Sequence, residues 1–193
     1  DLNAFNGQSA KGIYTTHLAE YNNVPAGKHL LRFTTNHDQS AWENTPMVLF
    51  KGKQGALAAS VATIFMEGVP LFYTGQEVGR VATVPFFSND PINWNDNPDM
   101  LATYKDIMGF YSQSDAARSG ILADYSTADV VMFTKTLGDE QVLIMANTRN
   151  AQVESAVDPA ITGLYWYDAI TNDSLQFGGT VQLYNYQYII ARR

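Results

Sequence analysis

The chain has 193 residues, of which 46% are hydrophobic and 16% are charged, and its formal net charge is −7. This apolar content is enough for a buried core, and the scattered lysines and arginines form no basic patch that would favour a nucleic acid as partner. Without an apolar run of about 18 residues and without cysteine, the sequence predicts neither a membrane span nor a disulfide framework.

Residues 9–38 predict a helix followed by a strand. Tyr14, Leu18 and Tyr21 recur at helical spacing, and this pattern ends before a proline and a glycine. Residues 28–35 are rich in apolar side chains and run directly into the polar triplet 36–38. We therefore expect a buried strand that delivers polar side chains at its C-terminal end.

The same order recurs over residues 53–111. Apolar residues at helical spacing predict a helix over 53–67, and Gly68 is suited to end it. The short apolar run 69–73 predicts a second strand, and Asn97, followed by a proline and an acid, predicts the start of another helix. Helices and strands that alternate with short connections are typical of parallel βα units.

From about residue 120 the pattern is typical of an antiparallel sheet. Runs of β-forming residues at 130–137, 141–146, 164–167 and 181–191 are separated by turn residues. The last run alternates Tyr184, Tyr186 and Tyr188, which we interpret as cross-strand packing in preference to a carbohydrate platform. We expect two domains, residues 1–118 with the βα units and residues 119–193 as a β-sandwich.

The two predicted strand ends carry the clearest chemistry. Adjacent parallel strands would bring Asp38 and Glu77 to one edge of the sheet, where α/β enzymes build their sites. Such a pair could serve as acid and nucleophile on a glycoside, with His37 as a hydrogen-bond donor to the substrate. A structural network that closes the strand ends explains the same residues equally well.

Two segments resemble motifs of the α-amylase family of glycoside hydrolases. Residues 33–38, a Phe followed by Asn-His-Asp, look like the seventh barrel strand, and residues 68–77, a Gly-x-Pro that opens an apolar strand ending in Gly-Gln-Glu, are similar to the eighth. Residues 91–94 are similar to the loop before the last barrel helix. The resemblance implies an α/β plus all-β fold: a partial (β/α) TIM-type barrel, strands seven and eight with their helices, followed by an antiparallel β-sandwich.

The resemblance also implies roles for the triplet. Asp38 matches the third catalytic carboxylate of the family, which binds the hydroxyls of the sugar at the cleavage point and favours the oxocarbenium-like form of that sugar. His37 matches a histidine that donates hydrogen bonds to the same sugar, contacts that accelerate cleavage if they strengthen in the transition state. Asn36 belongs to the same substrate-binding group, chiefly as a scaffold for its two neighbours.

Three further residues belong to the predicted site. The resemblance gives Gln76 and Glu77 a supporting position behind the sugar-binding residues, so that Glu77 is no longer expected to be the acid catalyst. Trp42, shortly after the triplet, either stacks on a sugar ring or covers the barrel rim.

The family's nucleophilic Asp and acid Glu come from strands four and five, far upstream of the triplet, and only 35 residues precede Asn36. A complete barrel takes about 250 residues. We therefore expect a C-terminal fragment of a retaining enzyme acting on α-linked glucans, itself inactive. The alternatives are a fragment of a sucrose- or trehalose-converting enzyme and a non-catalytic carbohydrate-binding or interaction module.

The expected ligand is an α-glucan or a maltooligosaccharide. Unpaired strand edges predict self-association or a partner chain such as the upstream half of the parent. We expect no metal or cofactor in this chain, because the acids and amides of residues 89–96 lack the spacing of a calcium loop, and we assign any calcium to the rest of the parent. A polysaccharide-degrading parent would favour a secreted or periplasmic location.

Overall fold

Residues 2–193, which this computed structural model describes, form a helix-rich segment followed by a strand-rich one. The helices are α1 Leu2–Phe5, α2 Lys11–Tyr21, α3 Pro46–Leu49, α4 Lys53–Phe65, α5 Pro98–Gln113 and α6 Asp115–Ser119, with a π-helical turn at Gln39–Glu43. The strands are β1 Leu31–Arg32, β2 Val69–Pro70, β3 Ile121–Asp124, β4 Val130–Leu137, β5 Glu140–Asn147, β6 Val153–Ala156, β7 Tyr165–Asp168, β8 Ser174–Gln176, β9 Thr180–Leu183 and β10 Tyr188–Arg192. The three predicted helices, α2, α4 and α5, are confirmed.

β1 and β2 form a parallel pair, in which Leu31 lies opposite Val69. Helix α4 lies between them in the chain and is buried from Gly55 to Phe65. The prediction of a long buried first strand is wrong, since β1 has two residues and Leu31 is 56% exposed. In the described part of the chain the pair has no further strand beside it, so no neighbouring strand covers this side chain.

The strand-rich segment contains two antiparallel sheets, as its turn signals and β-rich runs predict. One sheet has the order β3-β4-β5-β10-β7-β8, and the other pairs β6 with β9. Alternate residues of β4 and β5 point to opposite faces. One set, which includes Met132 and Leu143, packs with Trp166 and Leu183 into a core between the sheets, and the other set packs against the helices.

The prediction of one continuous strand over residues 181–191 is wrong. The chain leaves β9 at Leu183 and enters β10 of the other sheet at Tyr188. Between them Tyr186 has a φ of 52°, and its N–H donates to the carbonyl of Arg149. Tyr186 is therefore buried while Tyr184 is 69% exposed, so the tyrosines do not share one face.

The first helices are tied to the sheet by Arg149. Its guanidinium donates to the carbonyl oxygens of Ala4 (2.5 Å) and Gln8 (2.8 Å) and pairs with the Asp129 carboxylate at 2.7 Å. One hydrophobic core also joins α4, α5 and α6 to strands β4, β5 and β10. The domain boundary between residues 118 and 119 stays a prediction. No helix among the described residues is long and apolar enough to cross a membrane.

Candidate functional site

Asn36 organises the backbone that follows β1. Its Oδ1 accepts hydrogen bonds from the N–H groups of Asp38 (3.0 Å) and Gln39 (3.2 Å), and its carbonyl accepts one from Ser40 at 3.0 Å. These bonds start the π-helical turn, as Asn side chains do at helix N-termini. The side-chain oxygen of Asn36 is therefore already occupied by hydrogen bonds from backbone groups of this turn.

His37 and Asp38 project from this turn into solvent. Their side chains are 59% and 66% exposed, and His37 Nε2 lies 3.5 Å from Asp38 Oδ1. A carboxylate is an acceptor only, whereas a histidine ring can donate, so the pair offers both functions side by side. A ligand with hydroxyl groups could satisfy both residues at once.

Aromatic side chains surround this pair, and we call Trp42, Tyr73, Phe86 and Phe87 the aromatic rim. The Phe86 ring lies 5.7 Å from the His37 ring, 5.6 Å from the Trp42 ring and 6.0 Å from the Phe87 ring, measured between centroids, and Tyr73 lies 6.5 Å from His37. Trp42 is 67% exposed and Phe87 is 90% exposed. Exposed rings of this kind are expected where an amphipathic ligand binds.

Phe86 and Phe87 were not predicted from the sequence. They lie in the loop after β2, which has neither helical nor strand periodicity, between residues 68–77 and residues 91–94, which carry the resemblance. The only local signal was two consecutive phenylalanines in a polar stretch.

Arg80 holds this loop in place, and sequence reasoning missed it too. Its guanidinium donates to the carbonyl oxygens of Thr83 (2.9 Å) and Pro91 (3.2 Å) and pairs with the Asp90 carboxylate. The N–H of Val84 also donates to the carbonyl of Ser40 at 2.8 Å, which connects the loop to the turn that carries Asp38.

Gln76 and Glu77 have different surroundings. Gln76 is buried, and its Nε2 donates to the hydroxyls of Ser60 (3.1 Å) and Tyr104 (3.2 Å), between α4 and α5. Burial raises the pKa of Tyr104, so this hydroxyl stays protonated. Glu77 is partly buried, and its Oε2 accepts no hydrogen bond from the described residues. Because buried oxygens are normally paired, Glu77 retains acceptor capacity for a further group.

The acids and amides of residues 89–96 bond to their neighbours. Asp90 pairs with Arg80, and the Asp96 carboxylate accepts a hydrogen bond from the Asn93 amide. Within residues 2–193, no three His, Asp or Glu side chains gather to hold a metal ion.

Comparison with known proteins finds similarity in structure only, since no protein-family model and no curated protein matches. An α-amylase from Lactobacillus plantarum superposes with a TM-score of 0.77 at 18% identity, over 100% of this chain and 45% of that one. The cyclic α-maltosyl-(1→6)-maltose hydrolase from Arthrobacter globiformis, in complex with cyclic α-maltosyl-(1→6)-maltose, gives 0.70 at 23% identity, over 97% and 40%. The trehalose-6-phosphate hydrolase from Bacillus licheniformis gives 0.71 at 16% identity, over 94% and 46%.

The chain thus spans less than half of each of these structures. The identities are low, so the similarity concerns the fold. This chain has the fold of the C-terminal part of α-amylase-family enzymes.

Proposed function

We propose that this chain is the sugar-binding, C-terminal portion of a retaining glycoside hydrolase that acts on α-linked glucans. The observation that carries the proposal is the exposed His37–Asp38 pair, which follows a parallel strand and adjoins the aromatic rim. The fold similarity to α-amylase-family structures supports it.

In this proposal Asp38 binds two hydroxyls of the sugar at the cleavage point. Its carboxylate accepts their hydrogen bonds, and it stabilises positive charge as the sugar becomes oxocarbenium-like. His37 donates to a hydroxyl of the same sugar. Contacts that strengthen in the transition state accelerate cleavage, so both residues act on rate as well as on binding.

The aromatic rim would bind the neighbouring sugars. A pyranose has apolar C–H faces, and an exposed ring can cover such a face while the hydroxyls around it stay in water. Trp42 and Phe86 are suited to this, because their rings already contact each other and define a surface beside His37. A surface with several rings fits an oligosaccharide better than a single sugar, which favours a maltooligosaccharide over trehalose or sucrose.

The proposal assigns the nucleophile and the general acid to other strands of the complete enzyme. β1 and β2 would be the seventh and eighth strands of a (β/α) barrel, and a retaining mechanism needs two carboxyl groups about 5–5.5 Å apart on the scissile bond. Glu77 is partly buried after β2 and would accept a hydrogen bond from a group of that site.

Two exposed tryptophans allow a matched test by titration calorimetry with maltooligosaccharides. Trp42 is 67% exposed and belongs to the aromatic rim, whereas Trp94 is 50% exposed and does not. We expect Trp42→Ala to weaken binding at this site about 5-fold, which corresponds to about 1 kcal/mol for one aromatic contact, and Trp94→Ala to leave it unchanged. Equal effects of the two changes would contradict the assignment of the rim.

A further inference from the structure

A groove lies between α5 and the end of the strand-rich segment. It has a volume of about 530 Å³, and its walls include Asp106, Asp168, Ile170, Tyr184 and Tyr188. A second cavity of about 520 Å³ shares Asp106 and Ile170 with it, so the depression continues along α5. The groove includes no residue of the aromatic rim and no residue of the turn that carries Asp38.

The walls of the groove combine apolar surface with free polar groups. Tyr184 is 69% exposed and Ile170 is 43% exposed, which is unusual for a large ring and an aliphatic side chain at one place. The carboxylate of Asp106 and the side-chain amide of Gln54 make no hydrogen bond with any described residue. An aromatic face flanked by unengaged acceptors and donors matches a ligand with apolar faces and hydroxyl edges.

Tyr188 adds a phenolic hydroxyl, which can donate or accept a hydrogen bond, to the lining of the groove. The groove can therefore both donate to and accept from a hydroxyl group. This suits sugars, whose hydroxyls do both.

The charges that line the groove itself disfavour an anionic ligand. They are the carboxylates of Asp106 and Asp168, which would repel a phosphate bound beside Tyr184, whereas Lys105 and Arg192 line only the adjoining cavity. The Asp168 carboxylate already accepts hydrogen bonds from the N–H groups of Ile170 and Thr171, both at 2.8 Å, which leaves a poor ligand set for a metal. A neutral polyhydroxylated molecule fits best.

We infer that this groove is a second glucan-binding site, separate from the Asp38 site, which holds a short α-linked oligosaccharide against Tyr184. The identification of the ligand as an α-glucan rests on the proposed function. The presence and the lining of the groove are independent of it. Two sites on one chain would raise the effective concentration of a long glucan at either of them. The site would hold the polymer without cleaving it.

The test is an NMR titration of the whole chain with maltotriose, carried out in an Asp38→Ala, His37→Ala background. Tyr184→Ala removes the groove ring, and Tyr165→Ala is the matched control, since Tyr165 is also 69% exposed but lies on β7 outside the groove. We expect the background protein to bind, with shifts in the amide signals of residues 168–171 and 184–188. Tyr184→Ala should weaken this binding at least 5-fold, and Tyr165→Ala should leave it unchanged.

Two outcomes would overturn the inference. One is no binding by the Asp38→Ala, His37→Ala protein when the wild-type chain does bind, which would leave the Asp38 site as the only glucan site and the proposed function intact. The other is an equal effect of Tyr184→Ala and Tyr165→Ala. Failure of the proposed function has a different signature, because maltotriose would then leave the amide signals of residues 36–42 unmoved in the wild-type chain.

Discussion

Lys135 shows how one residue couples pH to the stability of this fold. The side chain lies on β4 with 1% exposure, and its Nζ donates to the carbonyl of Ala117 in α6 at 2.5 Å. Burial lowers the pKa of Lys135 to about 8, although the negative charge of Glu67 acts in the opposite direction. The ammonium form is therefore disfavoured in the folded state compared with the unfolded chain, where the pKa is 10.5.

This shift predicts a pH-dependent gain in stability. Between pH 8 and pH 10 the unfolded chain binds more protons at Lys135 than the folded one, so the free energy of unfolding rises with pH by about 2 kcal/mol from this group. Urea denaturation at pH 8, 9 and 10 should show this rise in the wild type relative to Lys135→Met. Because both proteins contain the same tyrosines, the comparison removes the contribution of tyrosine ionisation to the free energy of unfolding. Parallel pH profiles of the two proteins would contradict the prediction.

Helix α4 is the central element of the helix-rich segment, and Gly55 permits its approach to the preceding turn. A Cβ at Gly55 would lie 1.8 Å from the carbonyl oxygen of Phe50, a backbone atom that cannot rotate away. A Cβ at Gly109 in α5 would meet no atom within 4 Å. The close packing of α4 against the preceding turn therefore requires a glycine at position 55, whereas packing does not require one at position 109.

Substitution by alanine should have opposite effects at the two positions. Gly55→Ala should lower the free energy of unfolding by at least about 2 kcal/mol, because the backbone of α4 or of the preceding turn must shift. Gly109→Ala should raise it by about 0.5–1 kcal/mol, because alanine restricts the unfolded chain and fits the helix. Urea denaturation measures both, and a Gly55→Ala protein as stable as the wild type would show that the close approach is absent.

The elements differ in how far the sequence could predict them. α4, α5 and the β4–β5 hairpin are marked by periodicity and turn residues that act locally, so they were predicted correctly. Asn97 does precede α5, but its side-chain amide donates to the carbonyl of Val78 and caps no backbone group of the helix. The single strand expected over residues 181–191 was wrong because the break at Tyr186 depends on a bond to Arg149, far away in the chain. At the candidate site the triplet 36–38 is contiguous and could be found, whereas Phe86 reaches His37 only through a loop fixed by Arg80.

At the scale of the whole molecule, the β1–β2 pair is the feature that needs a partner. Leu31 and Val69 are 56% and 47% exposed at neighbouring positions, and a cavity of about 400 Å³ that includes Leu31 and Phe33 lies beside β1. Exposed apolar strands of this kind pair with other strands. In the proposed complete enzyme the other barrel strands would cover them.

The isolated chain should therefore self-associate. Sedimentation velocity over a range of concentrations should reveal dimers or larger species, and a dye that binds apolar surface should fluoresce. Leu31→Lys combined with Val69→Lys should reduce both signals, because charged side chains block strand pairing. A clean monomer with little dye binding would contradict this prediction.

The role of Asp38 is tested by measuring the release of reducing ends from soluble starch by the purified chain, with Asp38→Ala assayed beside it. We expect no release by either protein, because in the proposed function Asp38 binds and stabilises the sugar while the nucleophile and the acid come from other strands of the complete enzyme. Release by the wild-type chain that is lost in Asp38→Ala would contradict it. Asp38 and Glu77 would then form the catalytic pair themselves.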